Sequence, residues 1–405
     1  MRAFLLAGAA FVTLGSSWVG AAAPKVVASA VASGQYSTGD VTRTGAALYS
    51  RLRGPEPRYA VHRYDLRVRT RDAQGRHTTV GAQVFVPQLG KAGRVPVYVL
   101  GPGTTGLADA CSVFRERPAE QSWGWYQGHA LSYASQGMIV TLVDYVYFDD
   151  PKRLQPYFVS KAEAPVLLDA ARAALQFVPG LKSKAQPAPA VFFSGYSQGG
   201  HSSFAAADAA ARYAPDVPVR GLVVFGATTN VQTLLLEHAA FAPYVLAAYE
   251  QQYGADAVPL RNVLLPGVYA GLDTNARRRC VGDLHRMYGR RPEQVFQKSF
   301  VDALRSGRVA TAFPGLARVL RENNAGMVKE GAGIPAFVAQ GTADDIVTAG
   351  AQQAFVREQC RLGRRVTYRE YPGINHYQTR QAAVGEAIRW IFDVTAGKLP
   401  ASACQ

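Results

Sequence analysis

Short apolar runs alternate along the chain with stretches of helical periodicity. Residues 61–69 and 78–86 alternate in polarity and predict two antiparallel outer strands joined by a turn at residues 72–75. Continuous apolar runs predict buried strands, typical of a parallel sheet, at residues 95–100, 139–144, 190–194, 219–225 and 334–340. Because helical patterns such as residues 163–177 separate these runs, the chain predicts a doubly wound α/β fold, with helices on both sides of a mostly parallel sheet.

This alternation is interrupted once. Residues 231–325 have helical patterns broken by prolines and contain no convincing strand. The interruption predicts a helical cap over residues 230–330, inserted into a catalytic domain made of residues 56–229 and 331–405. Residues 23–55 are expected to form an extended N-terminal arm. The apolar side chains of the insertion either pack the cap onto the body or line an acyl pocket.

One short motif carries most of the chemistry. Residues 195–199 have the sequence Gly-Tyr-Ser-Gln-Gly, directly after a strand pattern and directly before a helical one. Strand, sharp turn and helix form the context of a nucleophile elbow, where glycines avoid clashes with the strand and the helix. The motif predicts that Ser197 is a nucleophile at a helix N-terminus. The backbone N–H of Gln198, the next residue, is predicted to stabilise an oxyanion.

A serine nucleophile needs a base, and the base needs a carboxylate that holds its tautomer. His376 follows the last alternating strand pattern and lies where catalytic groups collect in open α/β sheets. His201 lies four residues after the serine and is expected to pack beside the turn. His238 and His285 belong to the helical insertion and are expected to be surface or packing residues. We therefore predict that His376 is the base.

Two adjacent aspartates follow the apolar run at residues 334–340. The pattern Gly-x-x-Asp-x-x-Val selects Asp344 as the triad acid, because it leaves Val347 to anchor the loop. Asp345 is expected to point elsewhere and to cap the following helix. Asp144 also ends a strand pattern, but it precedes the nucleophile and is better explained as a turn residue.

Together these features resemble the secretory lipase family of α/β-hydrolases. The matching segments extend over residues 60–405 and comprise residues 103–106, 143–145, 168–173, 195–199, 341–344, 356–360 and 371–372. The elbow is generic, whereas its combination with both cysteine neighbourhoods is more specific. The resemblance implies an α/β-hydrolase fold with a helical cap, a carboxylic ester hydrolase activity and a triad of Ser197, Asp344 and His376.

The resemblance also locates an oxyanion loop at residues 103–106, with the sequence Gly-Thr-Thr-Gly. We predict that the backbone N–H of Thr104 is its donor. Many members of the family carry a histidine directly before the first glycine of this loop, and this chain has Pro102 there.

The chain contains four cysteines, an even number that can pair completely in an exported protein. Their spacing lacks the short intervals of a zinc site. The sequence alone allows three connectivities. The family resemblance implies the pairs Cys111–Cys280 and Cys360–Cys404.

The N-terminus is typical of a secretory signal peptide. Arg2 precedes an apolar stretch that ends in small residues, and we expect cleavage after Ala22. The alternative is a membrane anchor, but the stretch is short and interrupted by glycine, serine and threonine. No later segment has about 18 consecutive apolar residues. We therefore expect a secreted or periplasmic protein without a transmembrane segment after signal removal.

The formal charge is +15 at pH 7, and removing residues 1–22 deletes only Arg2 and leaves +14. The chain has no nucleic-acid-binding motif, so nucleic acid is not an expected partner. The basic surface either is simply solvated or associates weakly with anionic surfaces.

The predicted reaction is acyl transfer from an ester through an acyl-enzyme, without a metal ion or an organic cofactor. The substrates are expected to be small-molecule or lipid esters with short to medium acyl chains. One alternative is a serine peptidase of the prolyl-oligopeptidase type, although the chain has no room for the large accessory domain of such enzymes. A second alternative is a catalytically silent binding protein, although no member of the triad is lost from the sequence.

Overall fold

The computed structural model describes residues 23–116 and 123–404. Within them, nine strands form one sheet with the order β1-β2-β3-β5-β4-β6-β7-β8-β9. The strands are β1 (Val27–Tyr36), β2 (Val61–Arg71), β3 (His77–Pro87), β4 (Gly93–Gly101), β5 (Ile139–Val143), β6 (Ala185–Tyr196), β7 (Val219–Phe225), β8 (Ala336–Gly341) and β9 (Val366–Tyr371). The first three strands and β5 pair antiparallel, and all pairs from β5 to β9 are parallel. The predicted mixed α/β fold with a mostly parallel sheet is confirmed.

The helices lie in the connections between strands, except for α14, which follows the last strand. Four of them belong to the first half of the chain: α1 (Thr38–Gly45), α2 (Tyr126–Ala134), α3 (Ser160–Phe177) and α4 (Gln198–Tyr213). Eight follow β7: α5 (Val231–Glu237), α6 (Ala242–Tyr253), α7 (Leu260–Val263), α8 (Pro266–Arg278), α9 (Val281–Met287), α10 (Lys298–Arg305), α11 (Val309–Ala312) and α12 (Pro314–Glu322). Two more, α13 (Ala349–Arg361) and α14 (Thr379–Thr395), flank β9.

The central parallel strands form because their residues are apolar on both faces. Every residue of β5 and β8 is buried, as expected for strands covered by helices on both sides. Helices α3 and α4 contact one another beneath the centre of the sheet, where β4 and β6 are neighbours. The carboxyl ends of β6, β7, β8 and β9 therefore meet along one edge, which is where ligands bind in open α/β sheets.

The N-terminal segment contributes to the sheet. Residues 23–55, expected to form an extended arm, include β1, which pairs with β2 along the edge of the sheet, and α1, which begins with a capping box at Ser37. Most side chains of β1 are exposed or only half buried, because an edge strand of this kind covers little of the core. Its sequence therefore lacks the apolar alternation by which a strand is recognised.

The eight helices α5 to α12 lie between β7 and β8, where the sequence predicted an inserted cap. Leu235, Val245 and Leu246 from this segment are fully buried in the same apolar cluster as Val166 and Phe204 of the body. The apolar core of the insertion is therefore continuous with that of the body. The division into a cap at residues 230–330 and a two-part catalytic domain stays a prediction.

Both disulfides implied by the family resemblance are formed, Cys111–Cys280 and Cys360–Cys404. Among the described residues no single helix has the length and apolarity needed to cross a membrane. A strongly bent pair, α5 with the segment Ala239–Tyr253, meets those criteria only when its two parts are counted together. The predicted signal peptide at residues 1–22 lies outside the described residues.

Candidate active site

The elbow has the backbone strain that its sequence predicts. Strand β6 ends at Tyr196, Ser197 follows with φ 54° and ψ −114°, and α4 begins at Gln198. A positive φ is costly for a residue with a side chain and persists only where its surroundings enforce it. Here the N–H of Ser197 donates to the carbonyl of Phe225 at the end of β7, 3.1 Å away. Ser197 is 8% exposed.

Two glycines make the elbow possible. A Cβ atom on Gly195 would clash with the backbone of Gly199, and one on Gly199 would clash with the carbonyl oxygen of Gly101. The elbow therefore packs backbone against backbone on the end of β4. This contact brings the predicted oxyanion loop, which directly follows β4, beside the start of α4.

The predicted base and acid are joined by a hydrogen bond. Asp344 follows β8 and His376 follows β9, and the Nδ1 atom of the histidine lies 2.7 Å from Oδ2 of the aspartate. Both residues are buried. The other carboxylate oxygen of Asp344 accepts the N–H groups of Ile346 and Val347, at 3.0 and 2.8 Å. The loop thus orients the carboxylate towards the imidazole, as an acid that holds a histidine tautomer requires.

Asp345 points away from this pair, as expected, but it does not cap the next helix. Its carboxylate forms an ion pair with Arg290 at 2.6 Å, and its carbonyl lies 2.9 Å from Nδ1 of His238. The expected capping role is wrong: the N-cap of α13 is Thr348, whose hydroxyl accepts the N–H of Ala351. The segment inserted between β7 and β8 supplies a charged partner for Asp345, Arg290, that the local sequence does not reveal.

Asp144 is no rival for the acid role, because its partner is the hydroxyl of Ser112 rather than a histidine. Burial raises the pKa of Asp144 to about 7. Its side chain is 4% exposed and lies just beyond the end of β5.

Gly226, which the sequence analysis did not single out, lies between the serine and the other two groups. It follows Phe225, whose carbonyl holds the N–H of Ser197, and it has φ 51°. A Cβ atom at this position would lie 3.0 Å from Nδ1 of His376 and 3.1 Å from Oδ2 of Asp344. A side chain here would therefore press on the hydrogen bond between base and acid. The only sequence signal is a glycine directly after a buried strand.

Tyr196 and Arg380 were also missed, and they support the histidine from one side. The ring centroid of Tyr196 lies 4.7 Å from that of His376, and the guanidinium carbon of Arg380 lies 4.5 Å from the Tyr196 centroid. Arg380 Nη2 donates to the carbonyl of Gly124 at 2.6 Å, which fixes the guanidinium group. Burial raises the pKa of Tyr196 well above its ordinary value, so the phenol stays neutral.

Both predicted oxyanion donors lie in tightly held backbone. Gln198 is the first residue of α4, where a backbone N–H has no partner inside the helix. Thr104 is buried, and its hydroxyl lies 2.6 Å from the hydroxyl of Tyr157. In place of the histidine found in many family members, the carbonyl of Pro102 accepts a hydrogen bond from Tyr145 at 2.8 Å.

His201 is buried beside the elbow, as the sequence predicted, and both of its ring nitrogens are engaged. Nδ1 lies 2.6 Å from a carboxylate oxygen of Glu163, and Nε2 lies 2.7 Å from the backbone carbonyl of Asn323. A carbonyl can only accept, so Nε2 carries a proton. His201 is therefore not available as a base for Ser197.

The two histidines of the insertion contact the loops that follow β8 and β9. The Nε2 atom of His238 lies 3.5 Å from Nδ1 of His285, whose Nε2 atom lies 3.4 Å from the hydroxyl of Tyr377. Burial lowers the pKa of His238, and burial together with the neighbouring His238 and Arg290 lowers the pKa of His285 to about 4. Both imidazoles are thus neutral at physiological pH.

A model of the secretory lipase family matches residues 130–403. The chain belongs to the secretory lipase family. As a member of this family it is a carboxylic ester hydrolase, and the family implies small-molecule ester substrates. No match was found among proteins with curated descriptions.

Solved structures share the fold at low sequence identity. The rice cell wall degrading esterase LipA from Xanthomonas oryzae is 18% identical, with a TM-score of 0.71 over 92% of this chain and 97% of that chain. Candida antarctica lipase A is also 18% identical, with a TM-score of 0.69 over 94% and 84% of the two chains. A Legionella pneumophila hydrolase is 16% identical, with a TM-score of 0.74 over 93% and 100%. These likenesses show a shared fold over 92–94% of this chain.

Proposed function

We propose that this member of the secretory lipase family is a secreted serine esterase in which Ser197 is the nucleophile, His376 the base and Asp344 the acid. The observation that carries the proposal is the 2.7 Å hydrogen bond between His376 and Asp344, beside an elbow that holds Ser197 at φ 54°. The three groups follow one another along the chain in the order serine, acid and histidine, as α/β-hydrolase triads do.

The reaction proceeds in two acyl transfers. His376 accepts the proton of the Ser197 hydroxyl while the serine oxygen bonds to the ester carbonyl carbon, and the protonated imidazole then gives that proton to the departing alcohol oxygen. Water next attacks the acyl-enzyme while His376 takes its proton, and the imidazolium gives that proton to the Ser197 oxygen as the bond to the acyl carbon breaks and the acid product leaves. Asp344 stabilises the imidazolium that forms in each half-reaction.

The negative charge of each tetrahedral intermediate falls on the former carbonyl oxygen. We assign its two donors to the backbone N–H groups of Gln198 and Thr104. Gln198 supports this assignment by its first position in α4, where the helix dipole also favours an anion. Thr104 supports it by its place just after Gly101, whose carbonyl oxygen packs against Gly199 of the elbow.

The substrates are esters with short to medium acyl chains. Ser197 and His376 are 8% and 2% exposed, and His238 and His285 of the insertion contact the neighbouring residues Asp345 and Tyr377. Small esters need only a limited opening of the cap, whereas a long triglyceride needs a wide one. The paired cysteines support export to an oxidising compartment, either the periplasm or the medium.

Hydrolysis of p-nitrophenyl acetate, butyrate, octanoate and palmitate by the purified protein tests this function. Acetate to octanoate should be cleaved efficiently and palmitate slowly. A phosphonate inhibitor should label Ser197 alone, as read by peptide mass spectrometry. Ser197→Ala should lower turnover by about 10⁴-fold or more with an unchanged circular dichroism spectrum.

A different experimental result would contradict each part of the proposal. Labelling of another serine, or activity that survives Ser197→Ala, would remove the triad assignment. Efficient cleavage of peptide amides together with negligible ester hydrolysis would identify a peptidase instead. Faster hydrolysis of palmitate than of butyrate would overturn the proposed chain length.

A further inference from the structure

The proposed mechanism leaves one buried carboxylate near the elbow without a task. Glu163 lies in the first turn of α3 and is 1% exposed. A carboxylate is costly to bury unless hydrogen bonds satisfy it. All of its partners belong to segments that lead to the predicted oxyanion donors or to the cap.

One oxygen of Glu163 binds the elbow helix and a strained loop at the same time. Its Oε1 atom accepts the side-chain amide of Gln198 at 2.8 Å and the backbone N–H of Phe158 at 3.1 Å. Gln198 is 2% exposed, so its side chain is committed to this contact while its backbone N–H remains at the head of α4. The carboxylate thereby anchors the residue whose N–H is the first oxyanion donor.

The Phe158 contact leads to the second donor. Phe158 has φ 54°, a costly conformation for an aromatic residue, and its carbonyl is held by the hydroxyl of Tyr249 at 3.1 Å. The neighbouring Tyr157 places its hydroxyl 2.6 Å from that of Thr104. Glu163 is thus connected to Thr104 through two consecutive residues of one constrained loop.

The second oxygen of Glu163 completes the network through His201. Oε2 lies 2.6 Å from Nδ1, and the proton on Nε2 is donated to the carbonyl of Asn323. One further proton must lie between Oε2 and Nδ1, because two lone pairs at that distance would repel. Asn323 in turn accepts the N–H of Ser160, so the same network joins the start of α3 to the end of α12.

We infer that Glu163 is a positioning residue that sets the distance between the two oxyanion donors, the N–H groups of Gln198 and Thr104, with His201 as its support. This inference rests on the proposed serine esterase function. Glu163 acts because its side chain is long enough to form hydrogen bonds with Gln198, Phe158 and His201 at the same time. Its negative charge is not the requirement.

If the hydrogen bonds matter and the charge does not, the variants of Glu163 should rank by the number of these contacts that they keep. In Glu163→Gln the amide oxygen can accept from Gln198 and Phe158, while the amide N–H₂ donates to Nδ1 of a neutral His201. The variant therefore keeps every contact without the charge. Glu163→Asp keeps the charge but is one methylene too short to reach all three partners. Glu163→Ala removes the contacts altogether.

The test is steady-state hydrolysis of p-nitrophenyl butyrate together with the rate of phosphonate labelling at Ser197. Loss of one oxyanion donor typically lowers kcat by about 10²–10³-fold. Glu163→Asp and Glu163→Ala should each lower kcat and the labelling rate by about 10²-fold, with little change in KM. Glu163→Gln should stay within about tenfold of the unmodified protein, since its donors remain in place.

Asp169 provides the matched control on the same helix. It is 2% exposed and its carboxylate binds Arg172 and Tyr213, at 2.9 and 2.6 Å, away from the elbow. Asp169→Asn and Asp169→Ala should lower the melting temperature and leave kcat unchanged. All variants are compared below their melting temperatures. If Glu163→Ala does not fold, the comparison of Glu163→Asp with Glu163→Gln decides.

Three outcomes overturn the inference while the proposed function stands. The first is that the Glu163 variants have the same kcat values as the Asp169 controls. The second is that Glu163→Asp is more active than Glu163→Gln. The third is that the Glu163 variants change only KM and not kcat. Failure of the function itself has a different signature, because the unmodified protein would then lack esterase activity or Ser197 would escape the phosphonate.

Discussion

Asp344 and Asp345 are chemically identical and adjacent, and their surroundings separate their tasks. The carboxylate of Asp344 is held by two backbone N–H groups and faces His376, whereas that of Asp345 is more than half exposed and pairs with Arg290. An exposed ion pair contributes about 0–1 kcal/mol to the free energy of unfolding, so the pair of Asp345 with Arg290 contributes little to stability.

Asp344→Asn should lower kcat by about 10⁴-fold, because an amide at this place favours the wrong tautomer of His376. Asp345→Asn should leave kcat within about twofold, since it loses only an exposed ion pair. Steady-state kinetics on p-nitrophenyl butyrate measures both, and thermal melts verify that each variant is folded. The opposite ranking would move the acid role to Asp345.

At the scale of elements, the insertion is attached to the loops at the carboxyl edge of the sheet by two kinds of contact besides the ion pair between Arg290 and Asp345. Neutral histidines form the first: His238 contacts the carbonyl of Asp345, and His285 contacts Tyr377. The second kind consists of a backbone hydrogen bond and a disulfide. The N–H of Val281 donates to the carbonyl of Thr105, and Cys280 is bonded to Cys111. The predicted oxyanion loop is therefore held by the cap as well as by the elbow.

The histidine contacts predict a pH dependence of stability. The pKa of His285 is lowered from 6.5 to about 4, so the unfolded chain binds more protons than the native one between these values. This contribution to stability is fully present above pH 6.5 and is lost as the pH falls towards 4. Between these pH values, the melting temperature of His285→Gln should therefore fall less than that of the unmodified protein.

His77→Gln provides the control, because His77 is an exposed histidine at the start of β3. Its melting temperature should follow that of the unmodified protein at every pH. Parallel curves for His285→Gln and the unmodified protein would show that His285 makes no contribution to the pH dependence.

The two disulfides should differ in their effect on catalysis. Cys111–Cys280 encloses a sequence separation of 169 residues and Cys360–Cys404 one of 44. The chain-entropy model gives about 5 and about 4 kcal/mol for these closures. Replacing either pair with alanine should lower the melting temperature. Only the loss of Cys111–Cys280 should also lower kcat, because it loosens the loop that contains Thr104.

Activity assays of both double variants at a temperature where each is folded provide the measurement. Equal kcat values for the two variants would show that the disulfide at Cys111 stabilises the protein without affecting the oxyanion loop.

At the scale of the whole molecule, the formal charge is +15. Not every arginine in the basic clusters of the sequence contributes to the charge of the surface. Arg277, Arg278 and Arg279 are exposed, whereas Arg364 is 1% exposed and donates to the carbonyl of Ile334. Burial lowers the pKa of Arg364 to about 10. The run at residues 364–365 therefore contributes one surface charge less than its sequence indicates.

The remaining basic surface should give weak, salt-sensitive association with anionic surfaces. Binding to vesicles of anionic phospholipid should be measurable at about 0.05 M salt and absent at about 1 M, where the Debye length is about 3 Å. Vesicles of zwitterionic lipid are the control and should not bind. Co-sedimentation measures both. Binding that survives high salt would indicate an apolar rather than an electrostatic attachment.

How far the sequence alone reaches can be judged from particular elements. The predicted strand at residues 219–225 coincides with β7, because its apolar composition reflects burial on both faces. The strand–turn–helix context of Ser197 was also recognisable, since side chains at Gly195 and Gly199 would clash with neighbouring backbone. Strand β1 was not, because an edge strand in contact with solvent needs no apolar pattern.

By itself, then, the sequence determined the alternation of core strands and helices, the elbow and the candidates for base and acid, all of which depend on local patterns. Only the tertiary structure decided which distant groups meet. It brings Gly226 against His376 and Asp344, Arg290 against Asp345, and Glu163 between Gln198 and His201. Such contacts join residues far apart in the chain. They arise from the packing of whole elements, which no local pattern encodes.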